Sequence, residues 1–344
     1  MAADAVRRRV TMADVADRAN VSTAAVSKVL RNAYGVSPAM QARVREAIDE
    51  LGYRPHAGAR GMRGQTYTIG VMLPELHNPF FAELMDGVNE HLGGTDYQTL
   101  LGIGGDDADQ QTRITDAMRD RMMDGLLLIA PIINRRTLEE IARALPVVVI
   151  GRHGKSADYD SVVDDDLMGA GLVVDHLADL GHRRIAHIEH RIPGRSATTT
   201  MPQTVRALGY RQAMARRGLQ DEIDVVASTY SEEGGYAATR ELLARPVRPT
   251  AIFAGVDAAA IGALTAVHEA GLSIPDDISL AGYDNTSIVA LAPISITSVE
   301  QNGREIGANA ARLLLERIEG KRERSVLLSL SPALVPRRST AAPR

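Results

Sequence analysis

The chain has 344 residues, enough for two or three compact units with substantial cores, and its 45% apolar content is that of a globular protein. It contains no Cys, which excludes disulfides, thiolate nucleophiles, Cys-zinc centres and iron-sulfur clusters. The net charge of −4 is unevenly spread: residues 1–64 carry eleven Lys/Arg against six Asp/Glu, net +5, and the rest carries 28 against 37, net −9.

Arg7-Arg8-Arg9 run into Asp14 and Asp17 without an apolar stretch, so the start reads as neither a secretory leader nor an anchor, and a cytoplasmic protein is expected. The three arginines read as a solvated arm able to add phosphate contacts. From Thr11 the sequence predicts two short helices joined by a tight turn. Thr11 caps the first, with Asp14 as return partner, and Met12, Val15, Ala16 and Ala19 share one face. Asn20-Val21-Ser22 forms the break and Ser22 caps the second helix. Val26, Val29 and Leu30 of that helix point inward, leaving Thr23, Ala24, Ser27, Lys28 and Arg31 outside. Small groups and cations on a helix face suit the major groove of DNA. A third helix starts at Ser37-Pro38, carries the stripe Met40, Val44, Ala47, Ile48 and Leu51, and stops at Gly52. An ordinary three-helix surface subdomain would show the same pattern, but a basic end on an acidic body favours a module that neutralises phosphates.

From Tyr67 onward β-branched runs alternate with helical segments, the rhythm of a parallel α/β sheet. Strands are expected at 68–73, 97–102, 125–130, 147–151 and 161–163, then at 185–188, 225–227, 250–254 and 278–281. Helices are expected at 79–93, 109–121, 167–181, 204–217, 232–245 and 258–270, which gives two doubly wound halves. Ligands of such sheets sit beyond the carboxyl ends of the strands. Those positions hold Asn78-Pro79-Phe80-Phe81, Gly151-Arg152, Asp164-Asp165-Asp166, Asp257 and Asp284. Phe80 and Phe81 serve either to stack a ring-shaped ligand or to pack the following helix. Carboxylates and an arginine facing one cavity suit polyhydroxylated or ring-nitrogen ligands.

Other signals carry less. Gly154-Lys155-Ser156 lacks the earlier glycine of a phosphate-binding loop, since position 149 is Val149. Gly102-Ile103-Gly104-Gly105 reads as a strand-end turn. His182, His187 and His190 lack the spacing of a helical zinc site. The triple aspartate precedes a helix, which favours capping and ligand contact over a divalent cation. No Ser-His-Asp constellation with a nucleophile elbow occurs. Neither an enzyme nor a metal or other cofactor is expected.

These residues resemble the lactose/galactose repressor family of bacterial transcription regulators over almost the whole chain. The likeness rests on Asp14-Val15-Ala16, Val21-Ser22, Val26-Ser27-Lys28-Val29-Leu30, Val36-Ser37-Pro38, Leu51-Gly52-Tyr53-Arg54-Pro55, Asn78-Pro79-Phe80-Phe81, Asp124-Gly125-Leu126, 180–186 and Gly282-Tyr283-Asp284-Asn285. It implies an N-terminal all-α helix-turn-helix domain (10–57), a hinge segment (58–66) and an α/β body (67–344) like periplasmic binding proteins. The body would comprise two doubly wound parallel-sheet subdomains, about 67–164 with 295–325 and 165–294 with 326–340. Chain crossings would fall near Asp164 to Asp166, Ser295 and Ser325 to Ser329.

The resemblance further implies DNA contacts from Thr11, Ser22, Thr23, Ala24, Ser27, Lys28 and Asn32, and from Ala59, Arg60 and Met62 of the hinge. Lys28 replaces the arginine of many members, giving a point charge instead of a bidentate fork. Met62 replaces a leucine wedge. Gly58 and Gly61 each cost a hinge helix roughly 1 kcal/mol relative to Ala. The effector site would comprise Phe80, Phe81, Arg152, Asp164, Arg206, Tyr230, Asp257, Asp284 and Gln301. Gly151 and Val256 depart from the family's aspartate and asparagine, against a standard hexose pose. A homodimeric repressor on a pseudo-palindromic operator follows, controlled by a sugar or sugar derivative, inducer or corepressor. The alternatives are a purine-like corepressor, a solute-binding protein without a DNA role, and an α/β enzyme fused to a DNA-binding domain.

Overall fold

The computed structural model describes residues 10–30, 33–54, 65–191, 200–229 and 231–344. Two compact units divide at Thr66/Tyr67. The first is helical. α1 (Met12–Ala19) is closed by the expected capping box: Thr11 Oγ1 accepts from the Asp14 amide at 3.3 Å, and the Thr11 amide donates to Asp14 Oδ2 at 2.7 Å. Asn20, at φ 53°, ends that helix in the left-handed conformation. α2 (Thr23–Leu30) starts where Ser22 Oγ accepts the Ala25 amide at 3.2 Å. α3 (Pro38–Leu51) is capped by Ser37 and stopped by Gly52. Val15, Ala16, Ala19, Val26, Val29, Val44, Ala47 and Tyr53 make one small core, the inward set expected from helical periodicity.

In the second unit the chain builds two parallel sheets. The first has six strands in the order β11-β5-β4-β3-β1-β2: β1 Thr68–Leu73, β2 Gln98–Ile103, β3 Gly125–Ile129, β4 Val147–Ile150, β5 Asp160–Asp164 and β11 Leu327–Leu330. The second has four in the order β7-β6-β8-β9: β6 Ile185–His190, β7 Asp224–Ser228, β8 Ala251–Ala254 and β9 Ser279–Ala281. All five residues of β3 and all four of β8 are buried, as parallel strands covered on both faces must be. The helices Arg135–Ala144 and Gly303–Ile318 add to the expected set.

The crossings between lobes differ from expectation at two places. β10 (Ser298–Glu300) pairs with β12 (Ala333–Val335), and the bridges Ala281–Thr297 and Asp284–Glu300 keep the segment through Glu300 with the second lobe. The chain therefore returns to the first lobe at Gln301–Asn302, not near Ser295. β11 pairs in parallel with β5, from Leu327 opposite Ser161 to Leu330 opposite Asp164, which places 327–330 in the first lobe instead of the second. The short alternation Leu327–Leu330 gave no sign of which sheet it would join.

Helices pack closely across two glycine contacts. A Cβ on Gly307 would lie 1.9 Å from the Leu84 carbonyl oxygen, and one on Gly87 1.9 Å from that of Arg304. Only glycine lets Pro79–Leu92 and Gly303–Ile318 approach so far. No helix among the described residues is long and apolar enough to cross a membrane.

Candidate functional site

On the helical unit, the outer side of α2 carries Ser22, Thr23, Ala24 and Lys28 exposed and Ser27 half-buried, beside the capping Thr11. The core residues Val26 and Val29 fix which side faces out. Asn32, Ala59, Arg60 and Met62, with Gly58 and Gly61, lie outside the described residues. Tyr34, just after α2 and next to a left-handed Gly35, is fully exposed and was not among the expected contacts. An aromatic in a chain with 3% aromatics, set in a turn, was the available signal.

In the body, the strand ends of both lobes enclose a cavity of about 370 Å³. Phe80, Phe81, Asp164, Arg206, Asp284 and Gln301 all line it. Asn78 supplies the helix start there: its Oδ1 accepts the Phe80 amide at 3.0 Å while its Nδ2 donates to Asp284 Oδ2 across the lobes at 3.1 Å. The two Phe rings meet edge to face at 5.9 Å. Phe80 packs into the first lobe's core over Gly303, the packing role foreseen for the pair, and Phe81 is more open; both line the cavity.

Arg206 is the hub. Its Nε donates to Asp166 Oδ1 at 2.6 Å, Nη1 to the Gly255 carbonyl at 2.8 Å and Nη2 to Gln301 Oε1 at 3.3 Å. Its guanidinium lies 3.8 Å from the centre of the Tyr283 ring. Tyr283 donates in turn to Asp164 Oδ2 at 2.8 Å. His153 Nε2 donates to Asp166 Oδ2 at 2.6 Å, and the His153 amide to the Thr200 carbonyl at 2.7 Å, a second tie between the lobes. Gln301 donates to Asp284. Asp284 holds φ 114°, a strained conformation for a residue with a side chain.

Burial sets the titration of this cluster. It pushes Asp164 up to about 7, with the charge of Asp166 adding to it, and pushes Asp284 well above the carboxylate range despite Arg206. Burial also opposes ionisation of Asp166, yet Arg206 and His153 outweigh it and lower its pKa. For His153 burial opposes protonation, and the Asp166 carboxylate overcomes it and raises the pKa.

Two expected site residues are turned elsewhere. Arg152 donates to the carbonyls of Pro131 and Ile133 at 3.2 and 2.5 Å, away from the cavity, while Gly151 before it, in the left-handed conformation at φ 66°, lines the cavity. Asp257 is buried behind the wall, accepting Ser298 Oγ at 2.6 Å and the Thr286 amide at 2.7 Å, where it ties the helix Asp257–Glu269 to the chain around β9 and β10. Tyr230 lies outside the described residues. The triple aspartate divides its tasks: Asp164 lines the cavity, Asp165 caps the helix Asp166–Asp179 by accepting the Met168 amide at 2.9 Å, and Asp166 pairs with Arg206. Asn78, Asp166, His153 and Tyr283 were not singled out individually; only the Asp166 side of the triplet and the Asn-Pro start signalled them.

A basic three-helix reader on one chain with a two-lobed, cavity-bearing α/β body defines a class of ligand-responsive DNA-binding regulators. Residues 11–56 match the model of bacterial regulatory proteins of the lacI family, and residues 174–340 match a periplasmic binding protein-like domain. The ribose operon repressor of Escherichia coli (strain K12) is 35% identical over 96% of this chain and 99% of its own length. The HTH-type transcriptional repressor PurR of Klebsiella pneumoniae (strain 342) is 35% identical over 96% and 97%. Among solved structures, a transcriptional regulator CelR–cellobiose complex superposes with TM-score 0.70 at 29% identity, covering 96% of this chain and all of that one. The operator-bound lac repressor dimer, at 24% identity and TM-score 0.81 over 97% of this chain and all of that one, shares the fold. The chain belongs to the lacI family and is a DNA-binding transcriptional regulator.

Proposed function

We propose that this regulator is a homodimeric repressor whose two α2 helices read the half-sites of a pseudo-palindromic operator, under control of a small molecule held in the body's cavity. The observation that carries the reading is the cavity itself. About 370 Å³ enclosed by both lobes, with Asn78 bonded across to Asp284, makes lobe arrangement depend on what occupies it. On α2, Ser22, Thr23, Ser27 and Lys28 offer hydrogen bonds to base edges and phosphates, and Ala24 offers a methyl for thymine. The hinge residues Ala59, Arg60 and Met62 complete the DNA contact. Arg206, Asp164, Asp284 and Gln301 supply polar recognition and Phe80 and Phe81 the apolar wall, an arrangement that suits a sugar or sugar derivative. Relatives named for ribose or seen with cellobiose support that class. The aromatic pair also supports a second reading, a purine-like ring acting as corepressor. The protein acts in the cytoplasm by stoichiometric binding without turnover.

Selection of binding sites from random duplex DNA by the full chain, followed by titration at fixed salt, tests the reading. A palindromic site bound by two chains is expected, with a ligand changing affinity five- to roughly one hundred-fold, the usual range of allosteric coupling. Recovery of no site above non-specific binding would refute it.

A further inference from the structure

The hydrogen bonds that cross between the lobes beside the cavity respond differently to protons. Asn78 meets Asp284, whose carboxyl burial holds toward its protonated form. His153 meets Asp166 at 2.6 Å, an imidazole against a carboxylate. His153 follows β4 on the first lobe, and Asp166 opens the helix Asp166–Asp179 of the second. The Asp166 side chain is wholly buried, while that of His153 keeps 22% of its surface exposed, enough to exchange protons with solvent.

The charged groups that face the imidazole are Asp166, Asp164 at the end of β5, and Arg206 on the helix Pro202–Arg216. Burial opposes protonation of His153 and Arg206 adds to that, but the two carboxylates, Asp166 foremost, outweigh both and raise its pKa. Asp166 keeps its charge through neutral pH, because Arg206 and His153 together overcome its burial. Asp284 lies on the far side of Arg206, 3.8 Å from Nη1. Asp164, pushed up to about 7, titrates in the same range as His153. It stands two residues from Asp166 on one crossing segment, so the spacing of those two carboxyls follows the local chain. His153 meets Asp166 only while the lobes meet, which makes its proton the one sensitive to lobe arrangement.

We propose that the lobe junction is a proton-binding site: a proton on His153 holds the two lobes together through Asp166, and its loss frees them to part. The proton is then a second ligand of the body, acting beside whatever occupies the cavity. Linkage fixes the sign. With the lobes apart His153 returns toward its ordinary value of 6.5, and with them tied its pKa is raised. The proton's contribution to the tied arrangement is therefore complete below 6.5 and fades as pH rises through the raised value. A neutral imidazole still donates from Nε2, so the tie weakens without being lost. Charge on both partners strengthens such a bond enough to change the ratio of tied to parted lobes by roughly three- to tenfold. Any effect on operator affinity rests on the reading of the cavity as an effector site coupled to the DNA; the lobe movement itself does not.

Energy transfer between dyes on the two lobes tests this without any added ligand. The chain has no Cys, so a Glu140→Cys/Gln212→Cys variant takes donor and acceptor dyes at one exposed position on each lobe. The labelled full chain is diluted into an excess of unlabelled chain, so that transfer within one chain is read. Transfer is expected to fall between pH 6 and pH 8 as the tied-to-parted ratio drops by that factor. His153→Gln in the same background is expected to remove the response, and Asp164→Asn to keep it. A flat profile with His153 in place overturns the proposal without recourse to any variant. A profile unchanged by His153→Gln, or abolished by Asp164→Asn, overturns the assignment to His153. Operator affinity of the same proteins, on a duplex selected as described above, is expected to follow the transfer signal across pH. A responding signal with unchanged operator affinity overturns the link to DNA and leaves the proton site standing.

Discussion

Replacing Asp166 by Asn keeps the shape of the side chain and removes its charge. Asp166 is fully buried and receives Arg206 Nε and His153 Nε2, both at 2.6 Å. Without it, Arg206 keeps Gly255, Gln301 and the Tyr283 face, with Asp284 as its next carboxylate at 3.8 Å. Breaking a buried pair by removing one partner costs about 3–5 kcal/mol. Asp164 offsets part of this, because the charge of Asp166 is one reason its pKa stands at about 7, and in the variant Asp164 ionises more readily. A net loss of about 2–3 kcal/mol corresponds to a fall of roughly 4–10 °C in unfolding temperature. The pH dependence carries the signature. His153 has a raised folded pKa, so its contribution is complete below the unfolded value of 6.5 and fades as pH rises through the folded value. Calorimetric unfolding of wild type, Asp166→Asn and His153→Gln between pH 6 and 8 should show wild type losing stability with rising pH more steeply than either variant. An Asp166→Asn protein within about 0.5 kcal/mol of wild type at pH 7 would refute the hub assigned to this pair.

Four further outcomes follow from the geometry. Lys28→Ala should weaken operator binding and lower the slope of log affinity against log salt by about one, and Tyr34→Ala, removing a wholly exposed aromatic beside α2, should weaken it roughly tenfold; unchanged titration curves would exclude both from the interface. Gly307→Ala should destabilise the first lobe by at least roughly 1–3 kcal/mol in denaturant unfolding, since its methyl would meet the Leu84 carbonyl at 1.9 Å. His187 is fully buried, its Nδ1 donating to the Phe253 carbonyl at 3.0 Å, and burial lowers its pKa to about 3. Its neutral form stabilises the fold above pH 6.5, and that contribution fades as pH falls toward 3, so His187→Gln should flatten the acid limb of the stability profile.

Strands were legible where burial on both faces left an uninterrupted apolar run, as in Leu126-Leu127-Leu128-Ile129 or Val147-Val148-Val149-Ile150. The helix Arg135–Ala144 was not, because only Leu138 and Ile141 are buried in a segment otherwise charged and small. Site residues at strand ends were legible as a class, and the post-strand rule brought Asp164 and Asp284 to the cavity. It failed where the last step depends on side-chain direction. Gly151 and Arg152 are neighbours, yet one faces the cavity and the other the carbonyls of Pro131 and Ile133. Asp257 opens a helix after a strand, as a ligand residue could, but Ser298 and Thr286 approach from distant parts of the chain and claim both its oxygens. Pairings such as His153 with Asp166 join segments whose proximity only the folded lobes create.

The same distant pairings make the cavity a switch element and not simply a recess. Asn78 comes from the first lobe, Asp284 and Arg206 from the second, and Gln301 from the segment where the chain crosses between them. A ligand group that takes a hydrogen-bonding position on Asp284 therefore competes with or reinforces a cross-lobe bond and a crossing-segment bond at once. Because Arg206 is held by Asp166, itself tied to His153 of the first lobe, a shift at one carboxylate is felt at the Asn78–Asp284 and the His153–Asp166 ties alike. A ligand shifts lobe arrangement only by the difference in its interactions with the two arrangements. Asp284 is one place where that difference arises, since its bond to Asn78 depends on how the lobes meet.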